Sequence, residues 1–526
     1  MRTLSPRDAI LILLGAACMH IYSYIFPSTE PSIILNTHLS SDLQDLQPPR
    51  DYPDPPAARP DDTAQRPHNL DSNLSPRPAP SPDSPIPSTT LIKHAPGWTI
   101  FENIYMSNGT MFIVTDKPDA FPSIELVTST GLAAVNTPEN IAARMPTSHD
   151  MSVISTAEAH RRWGDADDTQ NARIFPVEGN TFLVNDPHQF LNHYYHFCAE
   201  LIFGAWAFWT GTYPPTSTSP TPPFDRFIFA HSSGEGWRDG PGMNAYFLRA
   251  AFPSLTVETD IDWHDRVRAT AVEPQQLTSR TVSRAWRFDS VLFADRSAAF
   301  RGTQCGHLTQ RTAAEAMLGV APLSPDGKQL EFLARGWWEP VRRAVLRFAG
   351  VPEHTVDLFS AAHPHRKVPS EQVVVTYISR QNVRRRLVEE DHQGLVRALE
   401  ALCERRGWQL NVIAAEKMTK EQQIGVAAKT TYLVGVHGNG LSHLIMMPPT
   451  PAATVFELFY PEGYAHDYEW TSRALSLRHF AVRNDTSTTF PEVTWPNYPE
   501  GFQGNAIPVH GPYVAKLIED RADGRL

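Results

Sequence analysis

The segment 434–443, VGVHGNGLSH, places glycines and a histidine at the expected end of a buried strand. The apolar strand is predicted to end at His437 and a helix to begin near Leu441, so free backbone N–H groups point outward at the helix start. In open parallel sheets this position binds ligands, and a helix N-terminus favours anions such as phosphate. The GxxGxG spacing is neither the dinucleotide fingerprint nor a P-loop, so a purely structural glycine turn is an equal alternative.

Arginines come before this turn in the sequence. Arg380 follows the strand-like segment 373–379, and its forked guanidinium could bind a diphosphate through two hydrogen bonds. For the run 384–386 we predict instead an exposed ladder of ion pairs, with Arg385 bonded to Glu389 one helical turn later. Arg380 is therefore the predicted cation of the anion site.

A carboxylate occurs within a second apolar strand pattern. Glu457 lies in the segment 454–460, TVFELFY, near the expected end of that strand. It could accept hydrogen bonds from ribose hydroxyls, because an ionised carboxylate is an acceptor only. A buried structural carboxylate is the alternative.

Two histidines and a glutamate recur on one side of the predicted helix 188–210. His193, His196 and Glu200 are spaced at i, i+3 and i+7 along this otherwise apolar segment. A His and a Glu four residues apart could deprotonate a hydroxyl, and the sequence leaves open which of them takes the proton, with Glu200 preferred. The alternative is a core histidine beside an interfacial carboxylate. The segment has no HExxH pattern, and we predict no metal site.

The elements that position these residues follow an α/β pattern. From residue 372 onward, apolar β-branched runs alternate with helical runs, which predicts a parallel sheet covered on both faces. The residues 96–350 mix short β-rich runs with helices and form a predicted N-terminal α/β domain. A second helix is predicted over 331–349, kinked or restarted at Pro340. The boundary is placed at 350, so that 351–526 form a Rossmann-like domain and tail.

The N-terminus predicts a membrane anchor. The residues 9–26 carry no charge and follow Arg2 and Arg7, which favours an uncleaved signal anchor with residues 1–8 in the cytosol. The proline-rich residues 27–95 are predicted to form a disordered stem. The protein is thus expected to be a single-pass type II membrane protein whose body faces the lumen of the Golgi or endoplasmic reticulum.

Composition narrows the possible functions. The chain has 526 residues and a formal net charge of −11, so nucleic acid is not an expected partner. Sequons at Asn108 and Asn484 are predicted glycosylation sites. The chain holds four cysteines, one of them in the apolar N-terminal run, which allows at most one disulfide among Cys198, Cys305 and Cys403. The absence of a GxSxG elbow excludes the usual serine hydrolase.

Four segments, in order and at their spacing, resemble glycosyltransferase family 61: NHYYHFCAEL (192–201), YISRQNVRRRLVEED (377–391), KEQQIGVAAKTTYLVGVHGNGLSHLIMMPP (420–449) and TVFELFYPEG (454–463). The resemblance covers residues 182–484. It implies a GT-B fold of two Rossmann-like domains facing across a cleft. It also implies an inverting, metal-independent transfer, with no cofactor, from a UDP-sugar such as UDP-N-acetylglucosamine or UDP-xylose to a glycan or glycoprotein.

The resemblance also assigns residues. Donor-binding positions are Arg380, His437, Gly438, Asn439, Gly440 and Glu457. Acceptor-side and catalytic positions are Asn192, His193, His196 and Glu200. Asn439 replaces the small residue usual between the two glycines, and Glu200 stands where many relatives have Asp. A secretory-pathway protein that binds glycans or nucleotides in the same cleft without turnover is therefore the alternative function.

Overall fold

The computed structural model describes residues 86–135, 137–164, 173–213, 220–271, 283–299, 336–357, 368–492 and 494–526. The predicted cytosolic tail and anchor, residues 1–26, lie outside these ranges, and so does Cys305. No helix of the described part combines the length and the apolar composition needed to cross a membrane. Cys198 and Cys403 are buried free thiols.

The N-terminal half is built on a mixed sheet of eight strands among the described residues. The strands are β1 (Thr90–Ala95), β2 (Trp98–Ser107), β3 (Thr110–Val114), β4 (Met151–Ile154), β5 (Ile174–Pro187), β6 (Arg226–His231), β7 (Thr256–Glu258) and β8 (Ala285–Ala294). Their order is β4-β3-β2-β8-β5-β6-β7, with β1 paired antiparallel to β2. The pairs β8-β5, β5-β6 and β6-β7 are parallel.

The C-terminal half has the predicted parallel sheet. The strands are β9 (Val374–Ile378), β10 (Gln409–Ile413), β11 (Tyr432–Val436), β12 (Thr454–Phe459), β13 (Arg478–Arg483) and β14 (Thr486–Thr488), in the order β10-β9-β11-β12-β13-β14. All neighbouring pairs are parallel except the last. Strands β9, β11 and β12 are buried along their whole length, as expected of central strands covered on both faces.

Helices cover both sheets. The α-helices of the described residues are α1 (Ile124–Val127), α2 (Pro138–Ala143), α3 (Thr156–Trp163), α4 (Phe203–Thr212), α5 (Met243–Ala251), α6 (Asp260–Thr270), α7 (Arg296–Ala299), α8 (Glu339–Phe348), α9 (Glu353–Val356), α10 (Glu389–Arg406), α11 (Lys420–Ala427), α12 (Asp467–Ala474) and α13 (Gly511–Ala522). A π-helix spans Tyr195–Ile202, and 3₁₀ helices span Pro118–Ala120, His188–Phe190, Ser370–Gln372, Ala415–Lys417 and Asn439–Met446.

Two sequence predictions need correction at element boundaries. The folded body begins before residue 96, because Thr90–Ala95 is a strand rather than stem. The helix predicted over 188–210 is broken, since the carbonyls of Phe190 and Leu191 accept hydrogen bonds from Arg296 and Asn244 instead of from the helix backbone. Its regular part is the π-helix followed by α4.

The other two helix predictions are partly right. The helix predicted to begin near Leu441 is a 3₁₀ helix that begins at Asn439. The predicted restart at Pro340 is confirmed, because α8 begins at Glu339 and holds this proline in its first turn, where no backbone donor is lost.

The two halves share one hydrophobic core. A single cluster of buried side chains includes Phe197 and Trp338 from the first half and Leu444 and Leu477 from the second. The Trp338 indole also donates a hydrogen bond to the carbonyl of Ile445 at 2.9 Å. The 3₁₀ helix that follows the glycine turn is therefore fixed directly against the N-terminal half.

Candidate functional site

The glycine turn lies beside Arg380, as the strand pattern predicts. Strand β11 ends at Val436 and is hydrogen-bonded in parallel to β9, so the residues that follow the two strands meet at one sheet edge. Gly438 has a φ of 143°, and a Cβ there would lie 2.6 Å from Nη1 of Arg380. A side chain would be strained at this φ, so glycine is favoured between the turn and the guanidinium.

Arg380 keeps most of its hydrogen-bonding capacity. Its Nη2 donates to the carbonyl of Arg384 at 3.3 Å, and its Nε is buried without a hydrogen-bond partner among the described residues. Burial lowers the pKa of Arg380 below its ordinary value, and arginine side chains keep their positive charge in proteins. A partly desolvated guanidinium with unused donors is suited to bind an anion.

Arg385 is a second cation of this turn, which contradicts the predicted surface ladder. Its Nη1 donates to the carbonyl of His437 at 3.2 Å and its Nε to the side chain of Gln503 at 2.7 Å. Helix α10 begins only at Glu389, so Arg385 is not one helical turn away from it on the same helix. Its backbone is left-handed, with a φ of 56°, and turns the side chain inward. The sequence offered no signal for this backbone conformation.

Glu457 lies behind the turn rather than in the open site. Its two carboxyl oxygens bind Nδ1 of His437 at 2.5 Å and Nε2 of His479 at 2.7 Å. Burial raises the pKa of Glu457 well above its ordinary value, and burial also lowers the pKa of both histidines, that of His479 to about 4. These contacts favour the alternative of a buried structural carboxylate over a role at the ribose.

Asp467 also lies at the site, although the sequence did not predict it there. It is the first residue of α12, and its Oδ2 lies 4.0 Å from Nε2 of His437. Burial raises the pKa of Asp467, and its carboxylate also interacts electrostatically with His196 and Glu200 from the other half. The sequence signal that could have identified Asp467 is an acidic residue at a helix start.

His196 and Glu200 form the predicted pair. Nδ1 of His196 and Oε2 of Glu200 are 2.6 Å apart, and the same oxygen accepts a bond from Nη1 of Arg296 at 3.2 Å. Burial alone would raise the pKa of Glu200, but Arg296 and His196 outweigh it and lower the pKa. The imidazole is the more accessible group, with 32% of its side chain exposed against 10% for Glu200. Because Nδ1 is engaged, Nε2 is the nitrogen left for a substrate.

Arg296 is the main residue of this side that sequence reasoning missed. It is buried, pairs with Asp186 at 2.6 Å and donates to the carbonyls of Phe190 and His196. One guanidinium thus fixes both the start and the middle of the segment that carries the predicted pair. Its sequence context, a lone arginine after β8, has no distinguishing pattern.

The two other residues predicted on the segment of His196 are exposed to solvent. Asn192 and His193 are exposed, and the ring of His193 is 5.0 Å from that of His196. Among the described residues no group of three or more His, Cys, Asp or Glu side chains could hold a metal ion.

Aromatic contacts bring the two sides together. The rings of Tyr195 and Tyr468 are 4.9 Å apart, and the latter ring also packs edge-on against His437 at 5.7 Å. Cations at the glycine turn therefore share one site with a histidine and carboxylates. Such a site can bind an anionic group and accept a proton next to it.

Comparison with known proteins bears on the glycine turn of this site. A family model described as Glycosyltransferase 61 matches residues 327–455. This part of the chain is similar to glycosyltransferase family 61. The predicted resemblance is thereby confirmed, over a shorter range than the 182–484 expected. The family 61 match contains Arg380 and the glycine turn but neither His196 nor Asp467.

A curated relative supports the same family. Over 93 residues the chain is 31% identical to the EGF domain-specific O-linked N-acetylglucosamine transferase of Drosophila melanogaster. The aligned segment covers 18% of this chain and 16% of that relative's length.

Proposed function

We propose that this family 61 protein is a glycosyltransferase that moves a sugar from a UDP-sugar to a hydroxyl of a glycan or glycoprotein. The observation that carries the proposal is the placement of Arg380 and Arg385 on the glycine turn, with the His196–Glu200 pair on the facing half. The two sheets then correspond to the two Rossmann-like domains of a GT-B enzyme.

The donor pyrophosphate would lie between Arg380 and the turn 437–440. Charge grows on the leaving nucleoside diphosphate as the glycosidic bond breaks, and preorganised donors stabilise it. Two guanidinium groups and backbone N–H groups supply that stabilisation without a metal ion. Transfer is therefore proposed to be metal-independent.

His196 would be the general base, with Glu200 as the residue that orients it. The contacts of Glu200 with Arg296 and His196 favour its ionised form and make it a weak proton acceptor. A neutral imidazole whose Nδ1 is held by a carboxylate presents Nε2 to the acceptor hydroxyl. Attack from the face opposite the leaving group inverts the anomeric configuration in one displacement.

The donor sugar is proposed to be N-acetylglucosamine or a pentose such as xylose. The first follows from the name of the Drosophila relative and the second from the family resemblance. We propose that the reaction takes place in the Golgi or endoplasmic reticulum lumen, where residues 9–26 would anchor the chain in the membrane.

A donor screen tests the proposal. The matching UDP-sugar at about 100 times its dissociation constant should stabilise the fold by about 2.7 kcal/mol and yield a glycosylated acceptor. Arg380→Ala should lower turnover about 100-fold or more, because one preorganised charge-stabilising donor is lost. Arg386→Ala, in the same loop but exposed, is the control and should keep wild-type turnover. No stabilisation by any nucleotide sugar, or full activity in Arg380→Ala, would overturn the proposal.

A further inference from the structure

The side chain of Asn439 leaves the glycine turn and reaches the helix that carries His196. Its Oδ1 accepts a hydrogen bond from the backbone N–H of Tyr195 at 3.0 Å and from Oγ of Ser442 at 3.3 Å. Tyr195 is the first residue of the π-helix, where backbone N–H groups have no acceptor within the helix. Asn439 thus acts as an N-cap asparagine does, although it lies 244 positions away in the sequence.

We propose that Asn439 is a positioning residue, which holds the start of the π-helix against the donor-side turn and thereby sets the position of His196. This inference rests on the proposed function, in which His196 takes the acceptor proton. It gives Asn439 a different role from the donor contact that the family resemblance implies.

The geometry explains why one hydrogen bond matters here. The segment around His196 is tied to its own half through Arg296, which donates to the carbonyl of His196 at 3.0 Å. Asn439 binds the backbone N–H of Tyr195, the residue before His196, from the other half. The segment that carries the imidazole is therefore held by hydrogen bonds from both sides of the site. Displacement of a catalytic group by about 1 Å can cost about 100-fold in rate.

The two roles of Asn439 predict different kinetics. A donor contact would raise the KM for the UDP-sugar when it is removed. A positioning contact would lower kcat and leave that KM nearly unchanged, because the donor does not touch the side chain. An N439D variant keeps an oxygen that can accept the Tyr195 bond, so it should retain most of the kcat.

Hydrogen exchange on the full chain, combined with steady-state kinetics, tests the inference. In N439A the peptide covering residues 193–200 should exchange about five- to tenfold faster, and kcat should fall about tenfold with donor KM within about twofold. N439D should restore the exchange and the kcat, and its added negative charge beside the pyrophosphate should raise the donor KM. N439S, whose side chain is too short to reach Tyr195, should reproduce N439A and serves if N439A does not fold.

A second cap provides the control. Ser155 caps α3, where its side chain accepts a bond from the N–H of Glu158 at 3.1 Å. S155A should leave the exchange of residues 193–200 and kcat unchanged. The inference would be overturned if N439A exchanged at the wild-type rate, or if N439A showed a raised donor KM at unchanged kcat. A wild-type chain that transfers no sugar would overturn the proposed function instead, and the exchange result would still decide whether Asn439 holds the helix.

Discussion

His437, Glu457 and His479 form a buried hydrogen-bonded chain behind the glycine turn. Each carboxyl oxygen of Glu457 is hydrogen-bonded to one of the two imidazoles. Burial lowers the pKa of both histidines, so neither is easily protonated. Nδ1 of His437 is therefore fixed from behind, and its Nε2 is the nitrogen that faces Asp467. The chain sets the orientation of the histidine at the anion site.

The pH dependence of stability in a Glu457→Gln variant should reveal whether Glu457 is protonated in the folded protein. The folded pKa lies well above the ordinary 4.5, so the folded carboxyl keeps a proton that the unfolded one loses. Stability is then lost as pH rises from the unfolded pKa through the folded one. Glu457→Gln removes this dependence, so the melting temperature of the variant minus that of the wild type should increase from about pH 5 to about pH 8.

Glu500→Gln is the matched control for this measurement, because Glu500 is exposed. Its difference from the wild type should be flat over the same range. A difference for Glu457→Gln that is as flat as the control's would mean that the folded carboxyl is ionised over this range, as a ribose contact would require.

The residues around the glycine turn were largely predictable, and the failures have physical causes. The proximity of Arg380 to the turn follows from parallel strands that end at one sheet edge, which the apolar runs already indicated. Arg385 could not be predicted because a left-handed residue breaks the helical spacing on which the ion-pair pattern depends. The role of Glu457 depends on His479, whose strand pairs with β12 only in the folded chain.

At the scale of elements, the π-helix is held by tertiary hydrogen bonds rather than by its own propensity. Arg296 contacts Asp186 and Glu200 as well as the backbone of the segment. π-Helices are rare and occur often at functional sites. Here the unusual helix places His196 and Glu200 at hydrogen-bonding distance.

Removal of Arg296 should therefore destabilise the protein strongly. Arg296→Gln leaves the buried Asp186 without its cation, and the loss should be about 3–5 kcal/mol in the free energy of unfolding, measured by denaturant titration. Arg268→Gln is the control, since its pair with Asp265 is 77% and 69% exposed and should contribute about 1 kcal/mol or less. Similar small losses in both variants would contradict the account of this network.

Element types were predicted better than element boundaries. The C-terminal sheet follows directly from apolar runs separated by helices, and its strands lie where the sequence indicated. The helix predicted over 188–210 was wrong at its start, because buried partners from α5 and α7 take backbone carbonyls that a sequence pattern cannot assign.

At the scale of the whole molecule, the two halves are joined by a continuous core. Trp337 and Trp338, which precede α8, bind carbonyls of Ala474 and Ile445 in the second half. This contact lies just before the boundary predicted at residue 350. The two sides of the site are therefore held in a fixed relation by packing.

Membrane topology is a separate prediction for the full chain. If the body faces the lumen, it should be protected from protease in sealed microsomes and become sensitive after detergent treatment. Asn108 is exposed in the turn between β2 and β3, so Asn108→Gln should remove a glycan and increase gel mobility, and Asn484→Gln should remove another. A body that is digested without detergent and carries no glycan would refute the predicted orientation.

The most direct measurement compares UDP binding and single-turnover transfer in the wild type and His196→Gln. Glutamine can still bond to Glu200 but cannot take a proton, so UDP affinity should be unchanged while transfer falls about 100-fold or more. That result would establish catalysis at a site formed by both halves. Wild-type transfer in His196→Gln, or a wild-type chain that binds UDP and transfers no sugar from any donor, would contradict it.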